Sequence, residues 1–465
     1  MRRPEVGLVC VLLVAMAVRL GACVVWADDL ARDRDAYLGI ARQIAAGHGF
    51  CSPGSTAATA YRPPLYPLFL AAVLLVASPA VATAAVNLLA GIGAVVATWI
   101  TARRTGVSDL GATLAALFVA VDPLLVRYTA QPMTECTFAA LTILALGALA
   151  RFSGPLSLIP MGERARVRGP SAMENAPLTL TLSPADGGEG TGLRHARTSA
   201  NPARYWIEVL PGVALGLAAL CRPTIWPFMV LVCVWMLFAG GQPWRQRAWC
   251  VLLVAAGLAV TVAPWVVRNA LVFGQPILTT THGGYTLLLA NNPVFYDEVA
   301  RQPWGTVWSG DSLERWQRSM NLVAAAELNG DSSETAVDRW QSQRAWQYIR
   351  QDPSGFAAAV AYRVRSLWSL SPRGEAQLGG WAGRLVAAWY ALLFALAAWG
   401  LWLQFRRNAR WAMVFVLFVA SLQAVHLLYW TDTRMRAPLH PMLALLAVLP
   451  LTERRQGGQG NTFRL

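Results

Sequence analysis

Acidic side chains gather in one short segment near the N-terminus. Asp33 and Asp35 are separated by a single arginine and are followed closely by Tyr37. A carboxylate can accept the proton of a nucleophilic hydroxyl or amine when it lies within about 3 Å of that group. Asp33 and Asp35 are therefore candidates for a general base, and Glu135, in the segment QPMTECTF, is a third acidic candidate.

Arginines supply the second kind of chemical group. All 39 basic residues are arginine, and the chain has no lysine, which excludes chemistry that needs an amine, such as a Schiff base or a phosphate-loop lysine. A guanidinium grips phosphate through paired N–H groups and stays charged at any relevant pH. The candidates for binding an anion are Arg62, Arg222, Arg268 with its neighbour Asn269, Arg434 and Arg436.

The elements that position these residues are membrane helices. Hydrophobic residues make up 55% of the chain and charged residues 14%, against about 25% charged in a soluble domain. The apolar residues form long runs, each close to the ~20 residues that a helix needs to cross the bilayer. The sequence predicts an all-α, polytopic transmembrane bundle. The seven cysteines show no CxxC or Cys/His metal spacing, so the sequence predicts no cysteine metal site.

Arginine-bearing connections are expected to stay in the cytoplasm, and six arginine clusters then give about ten spans with both termini inside. This topology also accounts for the net charge of +14 without nucleic acid as a partner. The segment 65–77 is apolar but short, and we interpret it as a re-entrant or interfacial helix. The predicted spans are 6–26, 80–101, 109–126, 133–150, 206–221, 224–240, 248–267, 382–404, 411–430 and 437–453.

The connections define the domain organisation. In the external region, residues 333–350 predict an amphipathic helix, and Pro353 opens a second helix that reaches toward Trp368. Residues 151–204 are predicted to form a cytoplasmic insert, and their composition argues against a packed core. The units are 1–150, an N-terminal membrane module with its external loop 27–64; 151–204, the insert; 205–268, central helices; 269–380, the external region; and 381–465, C-terminal helices and tail.

This topology places the acids and the anion-binding candidates on the external face. Arginines at four external span ends run against the positive-inside bias. Each one alone is explained by a side chain that snorkels to the interface. Together, opposite a loop with several carboxylates, they could hold an anionic headgroup beside a general base. A transporter or flippase is the alternative, although the sequence shows no convincing internal repeat; an envelope scaffold is a third interpretation.

The same segments resemble one family. DRDAYLGIARQIAAGHGF, YRPPLYPLFLA, DPLLVRYTAQPMTECTF, LCRPT, APWVVRNALVFGQPI and RMRAPLHPMLALLA follow one another along nearly the whole chain outside the insert. These blocks resemble the dolichyl-phosphate-mannose-protein mannosyltransferase and lipid A aminoarabinose transferase group, glycosyltransferase family 39 of the GT-C fold class.

The resemblance implies a polyprenyl-phosphate-linked sugar as donor, inversion at the anomeric carbon, and a glycan, lipid or protein as acceptor. It implies a plasma (inner) membrane enzyme whose active site faces the periplasm or exterior. By position relative to Tyr37, Asp33 matches the general base best and Asp35 second; the family's adjacent Asp-Glu pair is absent, so both remain candidates. We expect no cofactor. A divalent cation at Asp33 and Asp35 is the alternative, because an Asp-x-Asp pair resembles the metal-binding acids of oligosaccharyltransferase-type relatives.

Overall fold

The computed structural model describes residues 3–153, 207–238, 243–308, 310–372 and 379–452. Within these ranges the only extended pairing is an isolated bridge between Cys51 and Ala58, so the predicted all-α class is confirmed. The helices are α1 (Arg3–Val25), α2 (Tyr37–Ala45), α3 (Leu65–Leu74), α4 (Pro79–Arg104), α5 (Asp109–Ala120), α6 (Pro123–Arg127), α7 (Glu135–Leu149), α8 (Leu210–Cys221), α9 (Trp226–Phe238), α10 (Trp244–Phe273), α11 (Gly283–Ala290), α12 (Asp311–Glu327), α13 (Glu334–Gln351), α14 (Pro353–Leu367), α15 (Gly380–Leu428) and α16 (His440–Ala447).

The described residues include six helices long and apolar enough to cross a membrane, or seven if α5 and the turns after it count as one span bent by 47°. The predicted spans 382–404 and 411–430 are two helices within α15, separated by a kink at Asn408, where the backbone is not helical. The predicted spans 206–221 and 224–240 correspond to α8 and α9, of 12 and 13 residues. The chain is a multi-pass membrane protein, and the count of ten spans stays a prediction.

The outer surface of the bundle is apolar, and its interior is lined by small residues. Val24, Leu89, Val260 and Leu271 are between 72% and 82% exposed, which suits contact with lipid rather than water. Alanines of α4, α5 and α7 are buried in the main core. Small side chains let helix backbones approach one another closely, which is how helices associate where lipid removes the hydrophobic driving force.

The chain breaks between α5 and α6 because a new helix begins at Pro123. Asp122 accepts hydrogen bonds from the main-chain N–H groups of Leu124 (3.1 Å) and Leu125 (3.0 Å), and Pro123 occupies the first position of α6. A capping acid followed by proline begins a helix. The carbonyls at the end of α5 lose their helical partners at this break, and in a bilayer each needs another donor.

Arg19 of α1 supplies such donors inside the bundle. Its guanidinium is fully buried and donates to the carbonyl of Val119 at 3.2 Å, the carbonyl of Leu125 at 3.0 Å and the hydroxyl of Thr129 at 2.9 Å. The side chain fits because α4 has Gly91 opposite it: a Cβ there would lie 2.7 Å from Nε of Arg19. A buried arginine thus holds the break in place.

The external region has a core of its own. Leu288, Phe295, Trp316 and Trp340 pack together between α11, α12 and α13. The helices predicted at 333–350 and from Pro353 are present as α13 and α14, and Asp352 caps α14 through the N–H of Gly355 at 2.8 Å. Glu334 at the start of α13 accepts hydrogen bonds from Ala60 N and Thr281 Oγ1, which ties this region to the first loop.

Three further predictions concern the short helix at 65–77, the insert at 151–204 and the boundaries of the units. The short helix predicted from residue 65 is α3, which has ten residues. Residues 154–204 of the predicted insert lie outside the described residues, and the chain is described up to the turn Ala150–Ser153. The unit boundaries stay predictions.

The Arg19 site yields a stability prediction with a matched control. Gly91→Ala should lower the free energy of unfolding by about 1–3 kcal/mol, because the new methyl group displaces a buried guanidinium from its carbonyl partners. Gly93→Ala, in the same helix with nothing within 4 Å of its Cβ position, should be neutral or stabilising. Thermal unfolding in detergent compares the two, and equal stability of both variants would refute the role given to Arg19.

Candidate active site

Asp35 lies between two arginines from opposite ends of the chain. Its Oδ1 atom is 3.3 Å from Nη2 of Arg62, and its Oδ2 atom is 3.0 Å from Nη1 of Arg434. Arg62 also donates from Nε to the main-chain carbonyl of Asp35 at 2.7 Å. The contact with Arg434 spans 399 residues of sequence. The structure therefore brings the first loop and the turn before α16 to the same place.

These three side chains are largely shielded from solvent, with exposed fractions of 13% for Arg62, 21% for Asp35 and 17% for Arg434. Burial acts to raise the pKa of Asp35, but the positive charges of Arg434 and Arg62 outweigh it and hold that pKa well below its usual range. Asp35 is therefore ionised at neutral pH. A carboxylate with so low a pKa is a weak proton acceptor, so this position favours charge pairing over base catalysis.

A second ion pair stands beside the first. Glu135, in the first turn of α7, is fully buried and accepts a hydrogen bond from Nη2 of Arg222 at 2.9 Å. Met133, two residues before Glu135, places its sulfur 2.9 Å from Nη1 of Arg434, which connects the two pairs. The second carboxylate oxygen of Glu135 and the hydroxyl of Thr134 are buried and have no hydrogen-bond partner among the described residues. Unpaired buried polar atoms are costly, so their presence together is typical of a site for a polar ligand.

The guanidiniums of Arg62, Arg222 and Arg434 have N–H groups that make no hydrogen bond among the described residues. Arg62 uses Nε and Nη2, Arg222 uses Nη2, and Arg434 uses Nε and Nη1. Their other N–H groups donate no hydrogen bond within the described part of the chain. A guanidinium has five donors in a planar fork. The cluster can therefore bind the oxygens of an anion without first losing its internal ion pairs.

Asp33 has different surroundings. Its Oδ2 atom accepts a hydrogen bond from the N–H of Gly39 at 2.6 Å, while its Oδ1 atom is buried and has no partner in the part of the chain that the structure describes. Burial raises the pKa of the Asp33 carboxyl above its usual value, against the opposing effect of the N–H groups of Gly39 and Leu38. A Cβ at Gly39 would lie 2.7 Å from Pro53 and 3.1 Å from Oδ2 of Asp33, so glycine permits this approach. Asp33 keeps one oxygen free and has the higher proton affinity of the two aspartates.

The backbone that joins the two acids to Tyr37 is strained. Ala36 has a φ of 64°, in the left-handed region that residues with a Cβ seldom adopt. Strained conformations of this kind concentrate at functional sites. Tyr37, 5% exposed, packs edge-on against Tyr66 at 5.4 Å, and the Arg62 guanidinium lies 5.1 Å from the Tyr37 ring centroid. Tyr37 therefore fixes one face of Arg62.

The other predicted anion-binding residues hold loops instead. Arg268 donates to the main-chain carbonyls of Thr59 at 2.7 Å and Phe50 at 2.9 Å. Asn269 donates to the carbonyl of Ile277 at 3.0 Å. Arg436 is fully buried and donates to the carbonyl of Leu367 at 3.0 Å. Most of the hydrogen bonds that these three side chains donate go to main-chain carbonyls, which gives them a role in holding loops, and their predicted substrate-binding role stays a prediction.

Sequence reasoning missed two neighbours of the cluster. His282 lies between the rings of Tyr61, at 4.3 Å, and Tyr285, at 5.1 Å, and its Nδ1 atom is buried without a partner. Arg127, in the segment VRYTAQP, binds Asp29 and stacks on Trp26 at 4.6 Å. The rule that singled out the other external arginines also applies to Arg127. His282 has no such sequence signal, because its neighbours come from separate segments.

The cation alternative at Asp33 and Asp35 is disfavoured by the donors present. Both oxygens of Asp35 face guanidiniums, and one oxygen of Asp33 faces a main-chain N–H. No group of three or more His, Cys, Asp or Glu residues with the spacing of a metal site occurs within the ranges that the structure describes. Metal independence stays a prediction.

No family model matches the chain, and no curated protein matches it. Solved structures do. The archaeal oligosaccharyltransferase AglB from Archaeoglobus fulgidus, in complex with an inhibitory peptide and a dolichol-phosphate, matches 98% of this chain and 52% of its own at 11% identity, with a TM-score of 0.47. The apo form of the Archaeoglobus fulgidus oligosaccharyltransferase matches 96% and 50% at 13% identity, with a TM-score of 0.49.

ArnT from Cupriavidus metallidurans, bound to undecaprenyl phosphate, matches 93% of this chain and 76% of its own at 15% identity, with a TM-score of 0.37. This chain spans about half the length of the oligosaccharyltransferases that it matches.

The buried ion pair predicts an asymmetry between two aspartates that both bind Arg434. Asp35→Asn should destabilise the protein by about 3 kcal/mol, because it leaves the shielded Arg62 without a carboxylate and Arg434 with only the more exposed Asp432. Asp432→Asn should cost about 1 kcal/mol or less, because Asp432 is 41% exposed and its amide can still cap the N–H of Arg434. Chemical unfolding in detergent measures both, and equal losses would contradict the account.

His282 predicts a pH dependence of stability. Burial, followed by the charge of Arg62, lowers the pKa of His282 well below its usual value, so the folded protein keeps the ring neutral. Below about pH 6.5 the unfolded chain binds a proton that the folded chain does not, so stability falls as the pH falls.

His282→Phe should retain the packing against the two tyrosines and reduce the loss of stability between about pH 7 and pH 5 by up to about 2 kcal/mol. The measurement compares thermal unfolding of both proteins across this range. Identical pH profiles would show that His282 does not contribute.

Proposed function

We propose that the protein is a membrane glycosyltransferase that moves a sugar from a polyprenyl-phosphate donor to an acceptor at the external face. One observation carries this proposal. Arg62, Arg222 and Arg434, from three separate segments, converge with unused donors on Asp35 and Glu135, and Asp33 lies close enough to Asp35 for their charges to interact. This constellation pairs an anion-binding group with a proton acceptor, and transfer of a sugar from a phosphate carrier needs both.

The arginines are the proposed ligands of the donor phosphate. As the bond between the anomeric carbon and the phosphate oxygen breaks, negative charge develops on that oxygen. Fixed guanidiniums in a shielded site stabilise such charge far better than water does. Asp35 and Glu135 hold Arg62, Arg434 and Arg222 in place before the donor arrives, so little reorganisation is needed in the transition state.

Asp33 is the proposed general base. Its free oxygen and raised pKa make it a better proton acceptor than Asp35, whose basicity is lowered by two arginines. In the proposed step an acceptor oxygen or nitrogen attacks the anomeric carbon while the bond to phosphate breaks. The bonding electron pair passes to the phosphate oxygen, and the acceptor proton passes to Asp33. A single displacement of this kind inverts the configuration.

The lipid tail of the donor is proposed to lie against the apolar outer surface of the bundle, and the acceptor to be a glycan, lipid or protein. The proposed location is the plasma membrane, which is the inner membrane of a two-membrane bacterium, with the cluster facing the periplasm or exterior. The sidedness rests on the arginine clusters assigned to the cytoplasm.

One observation favours the transporter alternative. Asp122 and His440 form a buried pair at 2.8 Å among the membrane helices, and ionisable groups within a membrane often mark a transport path. Asp122, however, caps α6, and Tyr390 also contacts Asp122 at 3.3 Å. Helix capping and packing account for the pair, so we favour the transferase.

The base assignment is tested with isosteric and truncating variants in proteoliposomes. Polyprenyl-phosphate-linked sugars are supplied one at a time with an envelope extract, and release of polyprenyl phosphate is measured. Asp33→Asn can keep the cap on Gly39, so it should fold normally yet transfer about 100-fold more slowly or worse. Asp33→Ala should lose both activity and stability. Arg318→Gln, on a side chain 71% exposed, is the control.

The rate of the wild type should fall as the pH is lowered toward the raised pKa of Asp33, because only the ionised carboxylate accepts a proton. Full activity of Asp33→Asn together with loss of activity in Asp35→Asn would assign the general base to Asp35. Full activity in both variants would show that neither aspartate of the first loop is the general base. Substrate uptake into vesicles without release of polyprenyl phosphate would support the transporter.

A further inference from the structure

A cavity with both polar and apolar walls lies in the external region, next to the candidate active site. Its volume is about 450 Å³, within the roughly 300–1,000 Å³ typical of small-molecule sites. Its walls come from the first loop, α11, α12 and α13, with Tyr61, Tyr285, Trp316, Gln317, Asn321 and Gln341 among its lining residues.

Among the described lining residues, the cavity offers no positive charge and a single, hydrogen-bonded carboxylate. Glu334 is its only charged lining residue among the residues described. Both oxygens of Glu334 already accept hydrogen bonds: Oε1 from the hydroxyl of Thr59, and Oε2 from Ala60 N at 2.9 Å and Thr281 Oγ1 at 2.8 Å. No guanidinium lines the cavity. An anionic ligand would therefore lose its hydration without gaining a counter-charge, and a cationic one would have to compete with the three donors that already occupy the Glu334 carboxylate.

The remaining lining groups suit a neutral molecule with many hydroxyls. Asn321 and Gln341 carry amides that both donate and accept, and neither makes a side-chain hydrogen bond in the described portion of the chain. Gln317 donates to the hydroxyl of Tyr285 at 2.6 Å and keeps its own carbonyl oxygen free. Tyr285 and Trp316 add aromatic faces, against which the C–H groups of a sugar ring can pack.

Tyr61 forms the boundary between this cavity and the ion-pair cluster. Its ring lines the cavity, while the Arg62 guanidinium lies 4.9 Å from the ring centroid and His282 packs against it at 4.3 Å. The same Arg62 contacts Asp35. A molecule bound in the cavity is thus separated from the proposed phosphate site by one aromatic side chain.

We infer that this cavity is a binding site for a neutral, hydroxyl-rich saccharide unit of the acceptor. The inference rests on the proposed function and makes it more specific: the donor phosphate binds among the arginines, and an uncharged carbohydrate part of the acceptor binds beyond Tyr61. An acceptor recognised here carries sugar residues rather than consisting of peptide or lipid alone.

Binding is tested without any donor, so that it is independent of transfer. The full chain in nanodiscs is mixed with maltose, lactose or chitobiose, and saturation-transfer NMR reports contact with each sugar. At least one of the three should bind. Asn321→Leu and Gln341→Leu keep side-chain size on the cavity wall and should each weaken that binding about tenfold by removing hydrogen bonds. Trp346→Ala, on an exposed face of α13 outside the cavity lining, should bind as the wild type does.

Glucose 6-phosphate supplies the charged comparison and should bind more weakly than the neutral sugars. The inference is overturned if none of the three neutral sugars binds, if both leucine variants bind as well as the wild type, or if the phosphorylated sugar binds more tightly. A protein that releases polyprenyl phosphate but binds no saccharide overturns this inference and leaves the transferase standing. Saccharide binding by a protein that never releases polyprenyl phosphate overturns the acceptor role together with the proposed function.

Discussion

The shielded carboxylate of Asp35 between Arg62 and Arg434 is the interaction on which the external end of the molecule depends. Charges removed from water are tolerated only when they are paired, and breaking such a pair costs far more than its formation yields. Here one carboxylate fixes the end of the first loop and the turn before α16 at the same point. Through Met133, the same arginine reaches the start of α7, where Glu135 holds Arg222. Four distant segments are thereby fixed relative to one another.

The same cost governs the polar groups deeper in the bundle. Arg19 is fully buried in a span, yet its donors satisfy the carbonyls of Val119 in α5 and Leu125 in α6, on either side of the break. Asp122 satisfies the N–H groups that begin α6. In a bilayer no water can take their place. These residues are ionisable but structural, whereas the cluster at the external face retains donors and acceptors that the chain itself leaves unused. That difference separates a functional group of charges from a scaffolding one.

The sequence was sufficient for the fold class and for much of the topology, because apolar runs of span length and helix-starting prolines are local signals. It was also sufficient to select Asp35, Arg62, Glu135, Arg222 and Arg434. It could not separate these from Arg268 and Arg436, since a guanidinium at a span end looks the same whether it binds a carboxylate or a carbonyl. The kink at Asn408 falls between the predicted spans 382–404 and 411–430, whereas the short lengths of α8 and α9 depend on packing that no single segment encodes.

The different roles of Asp33 and Asp35 could be assigned only from the three-dimensional structure, because the two acids are separated by one residue and carry the same functional group. What distinguishes them is that Asp35 faces guanidiniums and Asp33 faces a main-chain N–H.

The charges of the cluster have a consequence for the proposed chemistry. Arg62, Arg222 and Arg434 are matched by Asp35, Glu135 and Asp432, so the ion pairs balance before any ligand arrives. An incoming phosphate therefore shifts the local balance toward negative charge, and the departing phosphate oxygen adds to that shift as its bond breaks. Negative charge nearby raises the proton affinity of a carboxylate. The basicity of Asp33 would thus increase at the point of the reaction at which the acceptor loses its proton. Asp33 then stabilises the transition state more than the ground state, which is the condition for catalysis.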